Sequence, residues 1–231
     1  MLHSQGIASR KNCRLLIQAG RIRWNDLIVE DARAAAPLAE LQVGGTPFYV
    51  DDTPWFYRER VILVLHKPSG YECSHKVQFH PSVYSLLPAA LVARGVECVG
   101  RLDADTTGLL IFTDDGKFHH HLISPKHAVP KLYEVTLKHP ATDALVHALK
   151  TGVQLDDEPA PIAATDCVQT GSHTLLVTLI QGKYHQVKRM IAAGSNRVEV
   201  LHRSQFGQLR LDNVAPSTWR YLDETEVALL G

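Results

Sequence analysis

The sequence lacks the long apolar segments and paired cysteines that would assign it at once to a membrane or metal-binding class. No apolar run reaches membrane-spanning length, and the N-terminus has no signal-peptide core. The four cysteines are scattered without a Cys-x-x-Cys pair, so neither a zinc ribbon nor a thioredoxin-like motif is indicated. Scattered thiols suit a reducing compartment, and we therefore expect a cytoplasmic protein with no membrane partner.

A net charge is also missing, because 24 lysines and arginines balance 24 acids among the 231 residues. The balance is not local. Residues 1–25 carry five cations and no acid, while residues 181–210 carry six cations and only Glu199. Because local patches decide what a surface attracts, two basic patches leave a nucleic-acid partner open despite the neutral total.

The order of predicted elements indicates the α+β class. Hydrophobic residues make up 45% of the chain, enough for a sizeable core, and strands and helices mix without a strict βαβ rhythm. We expect a small N-terminal α/β module over residues 1–52, a linker over 53–60 and a larger domain over 61–231. The larger domain should hold a mixed, mainly antiparallel sheet flanked by helices, with a central cleft.

The N-terminal module begins with a basic segment predicted to form a helix, a turn and a strand. Ser9 is a candidate N-cap and Gly20 suits the helix end. The five cations of this segment suit contacts with phosphates, although a solvated helix is the alternative. They are Arg10, Lys11, Arg14, Arg21 and Arg23.

The segment "GRLDADTTGLLIFTDDG" places an acid-rich loop directly before a buried-looking strand at residues 108–113. Oxygen ligands counted from Asp103 approach a calcium-loop pattern, but the strand-forming flank is wrong for an EF-hand. A plain hairpin loop is a second reading. A third is a catalytic carboxylate held rigidly by the strand, which fits chemistry at a glycosyl bond.

This segment is very similar to the signature of bacterial rRNA pseudouridine synthases. The resemblance extends over nearly the whole chain through "HKPSGYECS", "KLYEV", "GKYHQVKRM" and "EVLHRSQFG", and it is strongest to the branch that acts on small-subunit rRNA. The stretch "ASRKNCRLLIQAGRIRWND" resembles an S4 RNA-binding domain. The resemblance therefore implies an RNA-docking module followed by a catalytic domain.

The resemblance also implies roles for individual residues. Asp103 takes the catalytic position, Tyr133 stacks on the target base, and Lys188 pairs with Asp103 where many relatives have arginine. An ordinary strand tyrosine is the alternative for Tyr133, as a strand-end lysine is for Lys67 and a core leucine for Leu201. The residues expected to bind substrate are Arg101, Leu201, Lys67, Lys183 and Arg189.

The activity implied is the isomerisation of a flipped uridine in 16S rRNA to pseudouridine, with no cofactor and no metal. The N1–C1′ bond would break and the base would rejoin through C5. The expected partner is 16S rRNA or an assembling small ribosomal subunit, bound by a monomer. A large-subunit (23S) rRNA enzyme and a non-catalytic ribosome-assembly factor are the alternatives.

Overall fold

The computed structural model describes residues 1–24, 27–29 and 47–231, which form two compact units. The first unit comprises Met1–Val61 with Leu87–Glu97, and the second comprises Ile62–Leu86 with Cys98–Gly231. Within the described ranges, no helix has the length and apolar character needed to cross a membrane.

The first unit contains the basic helix expected near the N-terminus. Helix α1 (Arg10–Gln18) begins after Ser9, whose hydroxyl accepts the amide hydrogen of Asn12 at 3.3 Å. The apolar side of α1 buries Cys13 against Ile22 and Phe48, so a small core supports the module. Its remaining elements are β1 (Ile22–Trp24), β2 (Leu27–Ile28), β3 (Phe48–Val50), β4 (Thr53–Trp55) and α2 (Ala89–Arg94).

The four strands pair in the order β2-β1-β3-β4, each antiparallel to its neighbour. Thr53–Trp55 was expected to open the linker, and it forms β4 instead because the chain reverses at Asp51 and Asp52 and pairs back onto β3. The predicted Asn25-Asp26 turn and residues 41–46 of the next predicted strand lie outside the described residues. The S4 assignment and its boundaries stay predictions.

The second unit is built on one large sheet. Its strands run in the order β13-β5-β7-β11-β8-β10-β9, with β12 paired to β11. Among the pairings along this order and the β11–β12 pairing, only the one between β7 and β11 is parallel. The strands are β5 (Ile62–Lys67), β7 (Thr107–Thr113), β8 (Lys131–Leu137), β9 (Asp166–Gly171), β10 (Thr174–Leu179), β11 (Val198–Phe206), β12 (Leu209–Arg210) and β13 (Trp219–Tyr221); the short β6 (Glu97–Cys98) precedes β7 in the chain.

Helices complete the second unit, and the α+β class with a mainly antiparallel sheet is confirmed. Asp115 caps the N-terminus of α3, since its carboxylate accepts the amide hydrogens of Lys117 and Phe118. An apolar cluster that includes Ile111 and Phe206 forms the core. The helices are α3 (Gly116–Ile123), α4 (Asp143–Thr151), α5 (Gln186–Ala193) and α6 (Glu224–Ala228).

Gly108 brings β7 unusually close to β11. Its φ is +114°, and a Cβ atom at this position would lie 2.3 Å from the carbonyl oxygen of Arg203. The absence of a side chain therefore allows the parallel contact between the two strands. This contact sets the loop before β7 beside the middle of β11 and its neighbour β8.

Candidate active site

The loop before β7 rests on a buried lysine. Lys67 has no exposed surface, and its ammonium group donates hydrogen bonds to the carbonyl oxygens of Pro68, Asp103, Ala104 and Thr106 at 2.8–3.1 Å. Three of these carbonyls belong to the acid-rich loop. Burial lowers the pKa of Lys67, and the nearby charges of Asp105 and Asp103 counter part of that shift.

The prediction that Lys67 binds substrate is wrong. A side chain that is wholly buried and saturated by backbone carbonyls has no surface with which to touch RNA. The lysine instead fixes the backbone that carries Asp103, so its contribution to the site is the position of the loop.

Lys188 connects the loop to helix α5. Its Nζ atom lies 3.0 Å from Asp103 Oδ2 and 2.6 Å from Asp105 Oδ1. The contact with Asp103 is the one expected from the sequence. Asp105 is a second carboxylate partner of the same ammonium group.

The electrostatics of this cluster favour the charged forms of Lys188 and Asp105. Burial alone would lower the pKa of Lys188, but hydrogen bonds and the charges of Asp105 and Asp103 together raise it. Burial likewise opposes ionisation of Asp105, yet its hydrogen bond to Lys188 and the charge of that lysine lower its pKa.

His185 is a site residue that the sequence reasoning did not assign. Its Nε2 atom lies 3.3 Å from Asp103 Oδ1, on the oxygen that Lys188 leaves free. The residue precedes α5 with a φ of +46°, a left-handed conformation that few residues other than glycine adopt. A histidine before a basic helix is an ordinary sequence feature, so the role of His185 is recognised only from its position in the folded structure.

The calcium reading of the loop does not fit the structure. The ammonium group of Lys188 lies against both Asp103 and Asp105, and the strand β7 follows where an EF-hand would have a helix. Among the described residues, no group of three or more His, Cys, Asp or Glu side chains is arranged to hold a metal ion.

An open cavity lies beside Asp103. Tyr133 of β8 and Leu201 of β11, which are largely buried, form part of its wall, and the exposed Arg101 lies on its loop side. Thr106 also lines it, and its buried hydroxyl has no hydrogen-bond partner within the described part of the chain. We call this space the Asp103 cavity. It unites a carboxylate, an aromatic ring, an apolar side chain and an unengaged polar group.

Two predicted substrate-binding cations have acidic partners. Lys183 lines the Asp103 cavity and forms an ion pair with Glu158. Arg189 forms an ion pair with Asp157, donates a hydrogen bond to the carbonyl oxygen of Tyr184, and is not among the residues that line the cavity. The acids from 157–158 thus neutralise part of the basic patch seen in the sequence.

The five cations predicted to bind RNA divide into two sets. Arg21 forms a two-point ion pair with Asp51 at 2.6 and 2.7 Å, and Arg23 contacts Asp52 at 3.4 Å. The three cations of α1 are exposed and have no acidic partner among the described residues: Arg10, Lys11 and Arg14. The helix therefore presents more uncompensated positive charge than the strand that follows.

A thiol also contacts the acid-rich loop. The Sγ atom of Cys73 accepts the amide hydrogen of Leu102 at 3.4 Å, one residue before Asp103. A hydrogen bond with Cys98 and that amide contact, against the effect of burial, lower the pKa of the Cys73 thiol to about 7. Folding thus brings together two cysteines that the sequence places far apart.

Comparison with known proteins places these features in a family. Residues 61–193 match the RNA pseudouridylate synthase family. The chain is 37% identical over 235 residues to ribosomal small subunit pseudouridine synthase A of Salmonella typhimurium, covering 99% of this chain and 94% of the relative. The protein of the same name from Escherichia coli K12 is 36% identical over 232 residues, covering 97% and 93% respectively.

A solved structure described as a pseudouridylate synthase has the same fold. It is 30% identical in sequence and superimposes with a TM-score of 0.71. The match covers 100% of this chain and 97% of that structure. The chain therefore belongs to the RNA pseudouridylate synthase family, as its motifs predicted. Two members of that family that match it along nearly their whole length are enzymes named for the small ribosomal subunit.

Proposed function

We propose that this protein converts a uridine of 16S rRNA to pseudouridine, with Asp103 as the catalytic carboxylate. The single observation that carries the proposal is the position of Asp103, half-buried at the edge of a cavity and held by Lys188 and His185. The full-length similarity to small-subunit pseudouridine synthases supports the choice of RNA.

The proposed reaction is an isomerisation in which no atom is gained overall. With the uridine extruded from its stack, the Asp103 carboxylate acts at the sugar or base while the N1–C1′ bond breaks. The uracil turns within the cavity, a C5–C1′ bond forms, the C5 hydrogen leaves as a proton, and N1 gains a proton. Lys188 and His185 each contact a different carboxylate oxygen, which fixes the direction in which Asp103 faces.

The cavity wall suits a uracil ring. The Tyr133 side chain offers an aromatic face on which an unstacked base recovers part of its stacking energy. Leu201 supplies an apolar contact. Arg101 and Lys183, at the cavity, are placed to contact the phosphates on either side of the target nucleotide.

The first unit is proposed to act as an S4-like RNA-docking module. Its exposed cations on α1, Arg10, Lys11 and Arg14, suit phosphate contacts that set position and carry no sequence information. The catalytic unit then selects one uridine from the docked RNA. A monomer acting on 16S rRNA or on an assembling small subunit is the form of enzyme that we propose.

Mapping pseudouridines in rRNA from cells with and without this protein tests the assignment. We expect one position in 16S rRNA to be unmodified when the protein is absent and to become modified when purified protein is added. Such a position in 23S rRNA would assign the enzyme to the large subunit. Unchanged maps of both rRNAs, with binding retained, would favour a non-catalytic assembly factor.

A further inference from the structure

A second, larger groove adjoins the catalytic loop. It shares Asp103 and His185 with the Asp103 cavity. Two exposed aromatic side chains, Phe79 and Tyr184, line it. We call it the aromatic groove. Because the two spaces share the catalytic residue, a strand whose nucleotide enters the cavity continues into the groove.

Phe79 lies on a hydrogen-bonded loop that exposes its side chain to solvent. Its side chain is 88% exposed, an unusual state for a phenylalanine. The carboxylate of Glu72 accepts the amide hydrogens of Gln78, Phe79 and His80 at 2.9–3.0 Å, which fixes the loop backbone beneath the ring. The exposure of Phe79 therefore belongs to an ordered loop, and its ring is available as a flat surface.

Tyr184 offers a second flat surface that is coupled to the catalytic carboxylate. The residue is 71% exposed, and its ring stacks on the His185 ring, with centroids 3.9 Å apart and an angle of 16° between the planes. One face of Tyr184 is covered by His185, and the other is open to a stacking partner. His185 in turn contacts Asp103, so a base on Tyr184 would extend a stack that ends at the active site.

The charges that line the aromatic groove are largely matched. Lys188 is shared by Asp103 and Asp105, and the carboxylate of Glu72 is occupied by three amide hydrogens. Because its charges are matched, the groove attracts phosphates only weakly. Flat exposed rings, in contrast, bind bases of any sequence by stacking. The chemistry thus points to unstacked nucleotides as the occupant.

We propose that the aromatic groove binds the single-stranded RNA adjoining the target uridine, with neighbouring bases stacked on Phe79 and Tyr184. This inference rests on the proposed function, because it takes the Asp103 cavity as the place of the flipped uridine. It adds a binding surface for the flanking nucleotides, which allows a duplex or hairpin to be opened locally around the target.

A pair of oligonucleotides with equal charge tests the inference. Fluorescence anisotropy measures the affinity of the full chain for octauridylate and for an abasic octamer with the same phosphates. Phe79→Ala and Tyr184→Ala should each weaken octauridylate binding about tenfold and leave abasic binding unchanged, as expected when base stacking is removed. Phe79→Trp and Tyr184→Phe keep a ring and should bind as the unsubstituted protein does, as should the control Val168→Ala on the exposed side of β9.

The result that would overturn the inference is equal octauridylate binding by the alanine variants and the unsubstituted protein. That outcome would assign the exposed rings to another partner, such as a protein. Equally weakened binding of both octamers would also contradict base stacking. Pseudouridine formation in 16S rRNA is measured separately: intact activity without the base-dependent effect rejects only the groove, whereas base-dependent binding without activity rejects only the proposed function.

Discussion

Lys188 Nζ lies 3.0 Å from Asp103 Oδ2, so a helix of the second unit supplies the cation that faces the carboxylate in the acid-rich loop. The same ammonium group lies 2.6 Å from Asp105, so Asp105 competes with Asp103 for the charge of Lys188. The division of Lys188 between the two acids gives a pH-dependent contribution to stability.

Asp105→Asn should lower the free energy of unfolding by less than about 1 kcal/mol at neutral pH, because the Asp105 carboxylate is mostly exposed and its ion pair is screened. The folded-state pKa of Asp105 is lowered, so its stabilisation is present above the ordinary value of 3.8 and is lost as the pH falls through the lower folded value. The raised pKa of Lys188 keeps that lysine charged across the same range.

Urea denaturation between pH 3 and pH 8 checks this dependence. The difference between the unsubstituted protein and Asp105→Asn should be constant from pH 8 to pH 5 and should shrink below pH 3.8. Asp156→Asn, which removes an exposed acid, serves as the matched control. A difference that grows as the pH falls would be inconsistent with an ion pair between Asp105 and Lys188.

Lys67→Met should destabilise the protein by about 3 kcal/mol, because it leaves buried carbonyl oxygens without the charged donor that satisfies them. The loop that carries Asp103 should also lose its fixed position, so kcat should fall while RNA affinity is largely retained. Lys76→Met, at an exposed lysine, is the control. Unchanged stability together with weakened RNA binding would instead restore Lys67 as an RNA contact.

Gly108→Ala should reduce the free energy of unfolding by about 3 kcal/mol or more. The new Cβ atom would meet the backbone of Arg203, which cannot give way without separating β7 from β11. Gly116→Ala is the comparison, since a Cβ atom there meets nothing within 4 Å. Chemical denaturation of the two variants measures the contrast, and a Gly108→Ala protein as stable as Gly116→Ala would show that the close strand approach is dispensable.

Replacing Arg10, Lys11 and Arg14 together by glutamine should weaken binding to 16S rRNA and reduce its salt dependence. For every phosphate that the protein no longer neutralises, the slope of log affinity against log salt should become shallower by about 0.7–0.9. Arg21 and Arg23 already have Asp51 and Asp52 as partners, so their joint replacement should change the slope less. RNA-binding titrations at several salt concentrations measure these slopes. If the α1 replacements and the Arg21 and Arg23 replacements changed the slope equally, the division of the five cations into two sets would be contradicted.

Local patterns predicted the elements that depend on neighbouring residues. The apolar run at residues 108–113 indicated a strand, and Ser9 indicated the start of a helix. Both are present because the signals that specify them lie within a few residues of one another. Membership of the family followed from motifs that are preserved in order along the chain.

The parts that the sequence did not predict depend on distant segments. A lysine before a proline reads as an exposed strand end, and Lys67 is buried only because folding wraps the catalytic loop around it. His185 joins the site through a left-handed backbone conformation that has no residue pattern. The pairing of Arg21 with Asp51 likewise requires the β1–β3 contact, which no local window contains.

The most direct test of the central claim is the release of tritium from 16S rRNA labelled at C5 of uridine. Forming the C5–C1′ bond expels the C5 hydrogen, so the unsubstituted protein should release one tritium per modified uridine. Asp103→Asn, which keeps the size of the side chain, should release none while binding the same rRNA with similar affinity. Tritium release by Asp103→Asn at the unsubstituted rate would contradict the assignment of Asp103 as the catalytic carboxylate.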